Sequence, residues 1–204
     1  MNESGGRQHL KTMPRTKPDS TESAQVQDNL IREIPLIQRY SRHNEAEDMR
    51  FRAFLKGRLN LSIEKTDAIV QETTDEVWAQ IDCTKCANCC RTLQVVVDRT
   101  DIQRLAMRLG MTPAQFTRKY VKTGEDRTQY FAQSPCSFLG EDNHCTVYDD
   151  RPKACRDFPY LHAKHFTSRT FMMIENCVTC PIVFNTWQAL KRRLGFIRSG
   201  SRAR

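Results

Sequence analysis

Nine cysteines lie between Cys83 and Cys180, and none lies outside that window. They run Cys83-x2-Cys86-x2-Cys89-Cys90, then Cys136, Cys145 and Cys155, then Cys177-x2-Cys180. A spacing of two intervening residues folds into a tight turn that brings both sulfurs to one side, where one ion or cluster can hold them. Two such pairs, one extended to a triple, make metal binding the leading chemistry, and all nine are candidate ligands. Zinc would take four thiolates, or three and a histidine, so nine cysteines can fill two sites with one to spare. Iron–sulfur chemistry is favoured by the triple Cys83, Cys86 and Cys89, which matches the first three ligands of the bacterial ferredoxin run. That run closes with a cysteine before a proline, and only Cys180, followed by Pro181, has this neighbour. Buried apolar thiols or incidental disulfides are the bland alternative, and they do not explain so tight a cluster.

Cys89 and Cys90 are adjacent, and adjacent side chains diverge, so the pair can serve two different sites or leave one reactive spare. A vicinal disulfide is rare and strained. Four thiolates around Zn²⁺ leave a charge of −2, as does a four-cysteine 4Fe–4S cluster in its common state, and nearby donors and cations tune such sites. Lys85, Arg91, Arg151, Lys153 and Arg156 each lie within four residues of a cysteine. Taken singly, each also reads as an ordinary surface base. His144, His162 and His165 are read as surface histidines rather than ligands.

The first 25 residues lack the charged start, apolar stretch and cleavage site of a secretory signal, and no apolar run approaches a membrane span. This reading points to the cytoplasm, where thiols stay reduced and a cysteine-dense segment holds metal in preference to disulfides. The chain of 204 residues carries a net charge of +8, and 39% of its residues are hydrophobic, enough to bury a core. After Glu175 there is no acid, while Lys191, Arg192, Arg193, Arg198, Arg202 and Arg204 crowd the end. Such a tail can attract nucleic acid, but a solvated tail is the favoured reading, since no RNA- or DNA-reading motif accompanies it.

The elements that must position these cysteines read as mainly α with short β segments: a small cysteine-rich metal-binding domain preceded by a helical hairpin. Residues 1–25 read as a disordered tail. Residues 26–81 read as a helical segment, with one helix over residues 44–59 and a second capped by Ser62 and running through Ile81. Residues 82–182 form the cysteine-cluster domain. Within it, Leu93 to Val97 reads as a short β run. Thr100 and Gln103 are taken as a capping box that opens a helix ending at Gly110. Thr112, Pro113 and Gln115 open another helix, to about Lys122. From Phe131 to Pro181 periodicity is weak, as expected of a segment folded around something other than a large apolar core. Residues 183–204 supply a last helix, Val183 to Leu194, and the basic tail.

The order CxxCxxCC, then SPCSFL, then HCTVYDDRPKACRDFP resembles the YkgJ-type cysteine-cluster family of zinc- or iron-chelating domains. Its carriers are Cys83, Cys86, Cys89 and Cys90; Pro135, Cys136, Phe138 and Leu139; and Cys145, Tyr148, Arg151, Pro152, Cys155, Arg156, Phe158 and Pro159. The likeness covers about residues 80–182 and implies zinc or iron, a 4Fe–4S cluster included, held by cysteine. A flagellin lysine N-methylase shares the signature, which implies that some members are enzymes. This chain is short for that role and shows no glycine-rich turn for S-adenosylmethionine. In the shared element, Tyr148 and Phe158 can shield a site from water, Arg151 can donate to a thiolate or carbonyl, and Pro152 can open a short helix carrying Cys155. The expected function is metal binding. An iron–sulfur enzyme or electron carrier and a nucleic-acid-binding zinc module are the alternatives. Catalytic residues and any protein partner stay unassigned.

Overall fold

A helix begins where a side chain can satisfy its first free N–H groups, and the chain marks several such points. The computed structural model describes residues 30–196. The N-terminal tail over residues 1–25, and Arg198, Arg202 and Arg204 of the basic end, lie outside the described residues. Three helices precede the cysteines: α1 (Ile34–His43), α2 (Glu45–Gly57) and α3 (Ile63–Trp78). Ser62 caps α3 by accepting from the Lys65 N–H, as its sequence position predicts. The helix α1, opened by Pro35, was not anticipated. The second expected helix stops at Trp78, short of Ile81.

The cysteine segment follows as one-turn pieces, α4 (Cys83–Cys86) and α5 (Asn88–Thr92), separated by Ala87 in the left-handed region. Then come α6 (Arg99–Arg108), α7 (Pro113–Tyr120) and a two-stranded antiparallel hairpin, β1 (Val121–Thr123) and β2 (Gln129–Phe131), with Val121 opposite Phe131. The capping box of α6 is Asp98 with Asp101, two residues earlier than the expected Thr100 with Gln103. The Asp98 carboxylate accepts from the Asp101 N–H at 2.7 Å, and a carboxylate is the stronger cap. The box on α7 is Thr112 with Gln115, with Pro113 in its first turn, as expected. Gly110, at φ +64°, ends α6 where a side chain would be strained. The run from Leu93 to Val97 is extended but forms no strand of its own. Val97 N–H donates to Gln129 O and Phe131 N–H to Val95 O, and Val96 makes an isolated bridge to Tyr130.

Beyond the hairpin lie 3-10 turns at Tyr148–Asp150 and Phe166–Arg169, then α8 (Lys153–Asp157), α9 (Thr170–Cys177) and α10 (Pro181–Arg193). Pro152 does open the short helix that carries Cys155. The protein is mainly helical with short β segments. No helix among the described residues is long and apolar enough to cross a membrane.

Two apolar centres hold these elements. In one, α10 lies along α3 and α9, burying Phe184, Trp187 and Leu190 with Phe51, Val70, Phe166 and Met173. Trp187 meets Phe51 edge to face at 4.9 Å. The segment from Phe131 to Pro181 was expected to fold without a large core, yet its Phe166 and Met173 belong to this one. The α3 helix faces this core with threonines as well as Val70 and Val77. Thr73 and Thr74 satisfy their hydroxyls on the carbonyls of Ile69 and Val70, at 2.7 Å each, so their methyl groups pack at no polar cost. The second centre gathers Val97, Ile102, Leu105, Phe116, Phe131, Phe138 and Val147. Cys136 and Cys145 pack against it.

Candidate metal centre

Four separate segments deliver the cysteines, and backbone contacts fix their arrangement. Asp82 caps α4, accepting from the Thr84 N–H at 2.9 Å, so the turn carrying Cys83 and Cys86 is set before any metal arrives. The left-handed Ala87 then redirects the chain into α5, which carries Cys89 and Cys90. From that junction the Asn88 amide donates to Thr179 O at 2.8 Å, tying the knot to the turn that presents Cys180. On the other side, the Cys136 N–H donates to Cys90 O at 2.8 Å. Leu139 bridges to Cys145, and the Thr146 N–H donates to Phe138 O at 2.8 Å, so Cys136 and Cys145 stand on facing limbs of one small loop.

Cys155 is positioned by a residue that the sequence reading passed over. Asp101 is almost fully buried and accepts from the Lys153 N–H at 3.0 Å and from the Arg104 guanidinium at 2.7 Å. Arg104 in turn donates to Arg151 O at 2.8 Å. The second carboxylate of the α6 capping box therefore also anchors the start of the helix that carries Cys155. The signal was present in the Asp98-x2-Asp101 spacing, a capping box of two carboxylates.

Interactions between ionisable groups fall off with distance, so the partners that act on each thiol show which thiols are neighbours. Cys155 is pushed up to about 12 by burial, and then by Cys136, Cys90 and Cys145. Cys136 is raised by burial, with Cys90 and Cys145 adding to it. Cys180, also pushed up to about 12 by burial, feels Cys83 and Cys86. Cys83 is raised by burial and then by Cys86, Asp82 and Cys90. The Cys89 and Cys90 sulfurs lie 4.0 Å apart. That contact is the main reason why Cys89 is raised and Cys90 is lowered to about 7; Arg151 and Arg91 help to lower Cys90. Cys89 also feels Cys180 and Cys83.

Arg151 acts to favour the thiolate at Cys83, Cys90, Cys145 and Cys155. Its guanidinium stacks on Tyr148, 3.6 Å from the ring centroid, and its Nε donates to Tyr148 O at 2.9 Å. Tyr148 is 54% exposed, so it serves as a rest for the arginine more than as a shield against water.

Backbone N–H groups act to favour the thiolate at three sulfurs: those of Phe138 and Leu139 at Cys136, that of Val147 at Cys145, and those of Val183 and Ile182 at Cys180. Cys180 also sits at the N-cap of α10, a 13-residue helix whose positive end favours an anion.

Cys177 stands apart. It is 1% exposed on α9, and burial is the first cause of its raised thiol; Asp48 and Lys191 act on it next, and Cys180 after them. Those two belong to a buried group in which Lys191 meets Asp48 at 2.5 Å and Glu47 at 2.9 Å, while the Trp187 Nε1–H donates to Asp48 at 2.9 Å. Lys191, read as part of the basic tail, is thus an interior cation, and Arg193 pairs with Glu72 and Glu76. Of the histidines, His162 reaches Asp75 at 2.8 Å and His144 reaches the Asp142 carboxylate at 3.4 Å, both on the surface.

All nine cysteines are free thiols. Among the described residues, no three His, Cys, Asp or Glu side chains stand close enough to form a finished metal cage. Neutral thiols have no attraction that would draw four sulfurs together; the cation supplies it and displaces the protons. The donor set fits a thiophilic ion: nine reduced sulfurs, three of them beside backbone N–H groups, with arginine to balance the charge.

Residues 82–181 match the model of a family designated CxxCxxCC and described as "Putative zinc- or iron-chelating domain". No curated protein and no solved structure matches the chain.

Proposed function

Because residues 82–181 match the CxxCxxCC family, we propose that this domain holds zinc or iron through cysteine thiolates. The observation that carries this reading is the convergence of the cysteine segments on the knot, where Asn88 holds the Cys180 turn and the Cys136 N–H holds Cys90 O; backbone N–H groups beside Cys136, Cys145 and Cys180 favour their thiolates. A neutral thiol is a weak acceptor and gains little from them, whereas a thiolate bound to metal is stabilised and oriented by such bonds. Burial raises these thiols and opposes the free anion. A cation bound among them reverses that balance, because a coordinating thiol is deprotonated outright. The metal, when bound, supplies the cross-link between the four segments, of which the knot and the Cys155 segment are helices of only four or five residues. The reading needs reduced thiols and therefore sets the protein in a cytoplasmic environment.

A second reading, an iron–sulfur centre that carries electrons, is favoured by one observation. Cys180, followed by Pro181, is the neighbour of Cys83, Cys86 and Cys89, the triple with ferredoxin spacing.

Substitution in the knot tests the proposal. Cys86→Ser and Cys89→Ser are each expected to release metal and to lower stability far beyond a surface change. Unchanged metal content in both variants would overturn the assignment of the knot as ligands.

A further inference from the structure

Resting on the metal-binding reading, we infer that the nine cysteines form two four-thiol sites that share no ligand, and that Cys177 belongs to neither. One set is Cys83, Cys86, Cys89 and Cys180. The other is Cys90, Cys136, Cys145 and Cys155. The boundary runs between the adjacent Cys89 and Cys90.

The backbone argues for this division on its own. The Asn88 amide bond to Thr179 O fastens the front of the knot to the Cys180 turn. The Cys136 N–H bond to Cys90 O fastens the back of the knot to the Cys136–Cys145 loop. Asp101 holds α8, and with it Cys155, while its neighbour Arg104 holds Arg151 O. Adjacent residues on a single helical turn point about 100° apart, so α5 can aim one sulfur at each set.

The two sets meet at Cys89 and Cys90, whose sulfurs lie 4.0 Å apart, at Cys83, which also feels Cys90, and at Arg151, which acts on Cys83 and on three thiols of the second set. Two tetrathiolate sites holding a divalent ion each would carry −2, and a shared arginine between them offsets that repulsion. Cys177 faces the buried Lys191–Asp48 pair from within α9, where it packs as a small apolar side chain.

The test uses the full-length reduced protein loaded with less than two equivalents of Zn²⁺, alkylated, and weighed intact. Molecules are expected to show thiol protection in steps of four, and peptide mapping of the four-protected species should return one of the two named sets. Protection in steps other than four, or a four-protected species mixing the sets, would overturn the division. In parallel, Cys136→Ser is expected to lose one of two equivalents of zinc and keep Cys83, Cys86, Cys89 and Cys180 protected; Cys83→Ser should give the converse. Cys177→Ala should bind both equivalents, and loss of either there would overturn its exclusion. Where a variant fails to fold, the wild-type mass ladder decides alone. Zinc that protects no thiol at all would refute the metal-binding reading itself, a result distinct from protection in the wrong groups.

Discussion

Around Trp187, α3, α9 and α10 meet over whole faces and bury large side chains: Phe51, Phe166, Phe184 and Trp187 are all nearly inaccessible. Around Cys90 the helices are only four or five residues long, and most thiols are left half exposed. The first region is held by removing apolar area from water, worth roughly 1.5–3 kcal/mol for each large side chain. The second has little such area to remove beyond the cluster under Phe116 and Phe138. Its segments are stitched by single hydrogen bonds, at Asn88, Cys136 and Asp101. A region with this economy of core is one in which a bound cation contributes a large share of the folding free energy. The two regions are continuous, since Cys180 is the N-cap of α10, so one end of the apolar core is also one wall of the candidate metal centre.

Removing the metal is the largest way to break the comparison. Chelation is expected to open amide hydrogen exchange across residues 83–92 and 134–157 by orders of magnitude, while the α3 and α10 amides keep their protection. Equal loss in both regions would mean that the metal supports the whole molecule. Next in size is Lys191→Ala, which removes the buried cation that meets Asp48 and Glu47. It should cost about 3–5 kcal/mol in denaturant unfolding with metal stoichiometry unchanged. Arg151→Gln should leave the apolar region intact and weaken metal binding by roughly 10–100-fold in competition with a chromophoric chelator. An unchanged affinity would show that the arginine only braces the Tyr148 turn. The smallest effect is at Ser62→Ala, where loss of the α3 cap should cost about 1 kcal/mol and no metal. That substitution sets the scale of a purely structural change.

How much of this was legible in the sequence differs between the same two regions. Helix ends with their own side-chain caps, at Ser62 and at Thr112 with Gln115, were readable, because capping is local. The Thr100–Gln103 pair failed because a stronger cap, Asp98, stands two residues earlier. The burial of Glu47, Asp48 and Lys191 was hidden, since a charged residue reads as exposed until its partner, more than 140 residues away, is known. In the cysteine region the reverse held. The residue types announced a metal domain, while their grouping depends on long-range contacts such as Asn88 to Thr179, which no local spacing contains. The hairpin β1–β2 also went unread, because strands of three residues carry no usable alternation.

The measurement that bears most directly on the central claim is the metal content of untagged wild-type protein purified without oxygen, taken with its absorption spectrum. Zinc or iron in stoichiometric amount, lost together with thiol protection on chelation, is the expected result. Brown protein with acid-labile sulfide would give the iron–sulfur reading, and colourless protein with zinc the tetrathiolate one. Folded protein with neither metal, and with Cys83, Cys86, Cys89 and Cys90 freely alkylated, would contradict it.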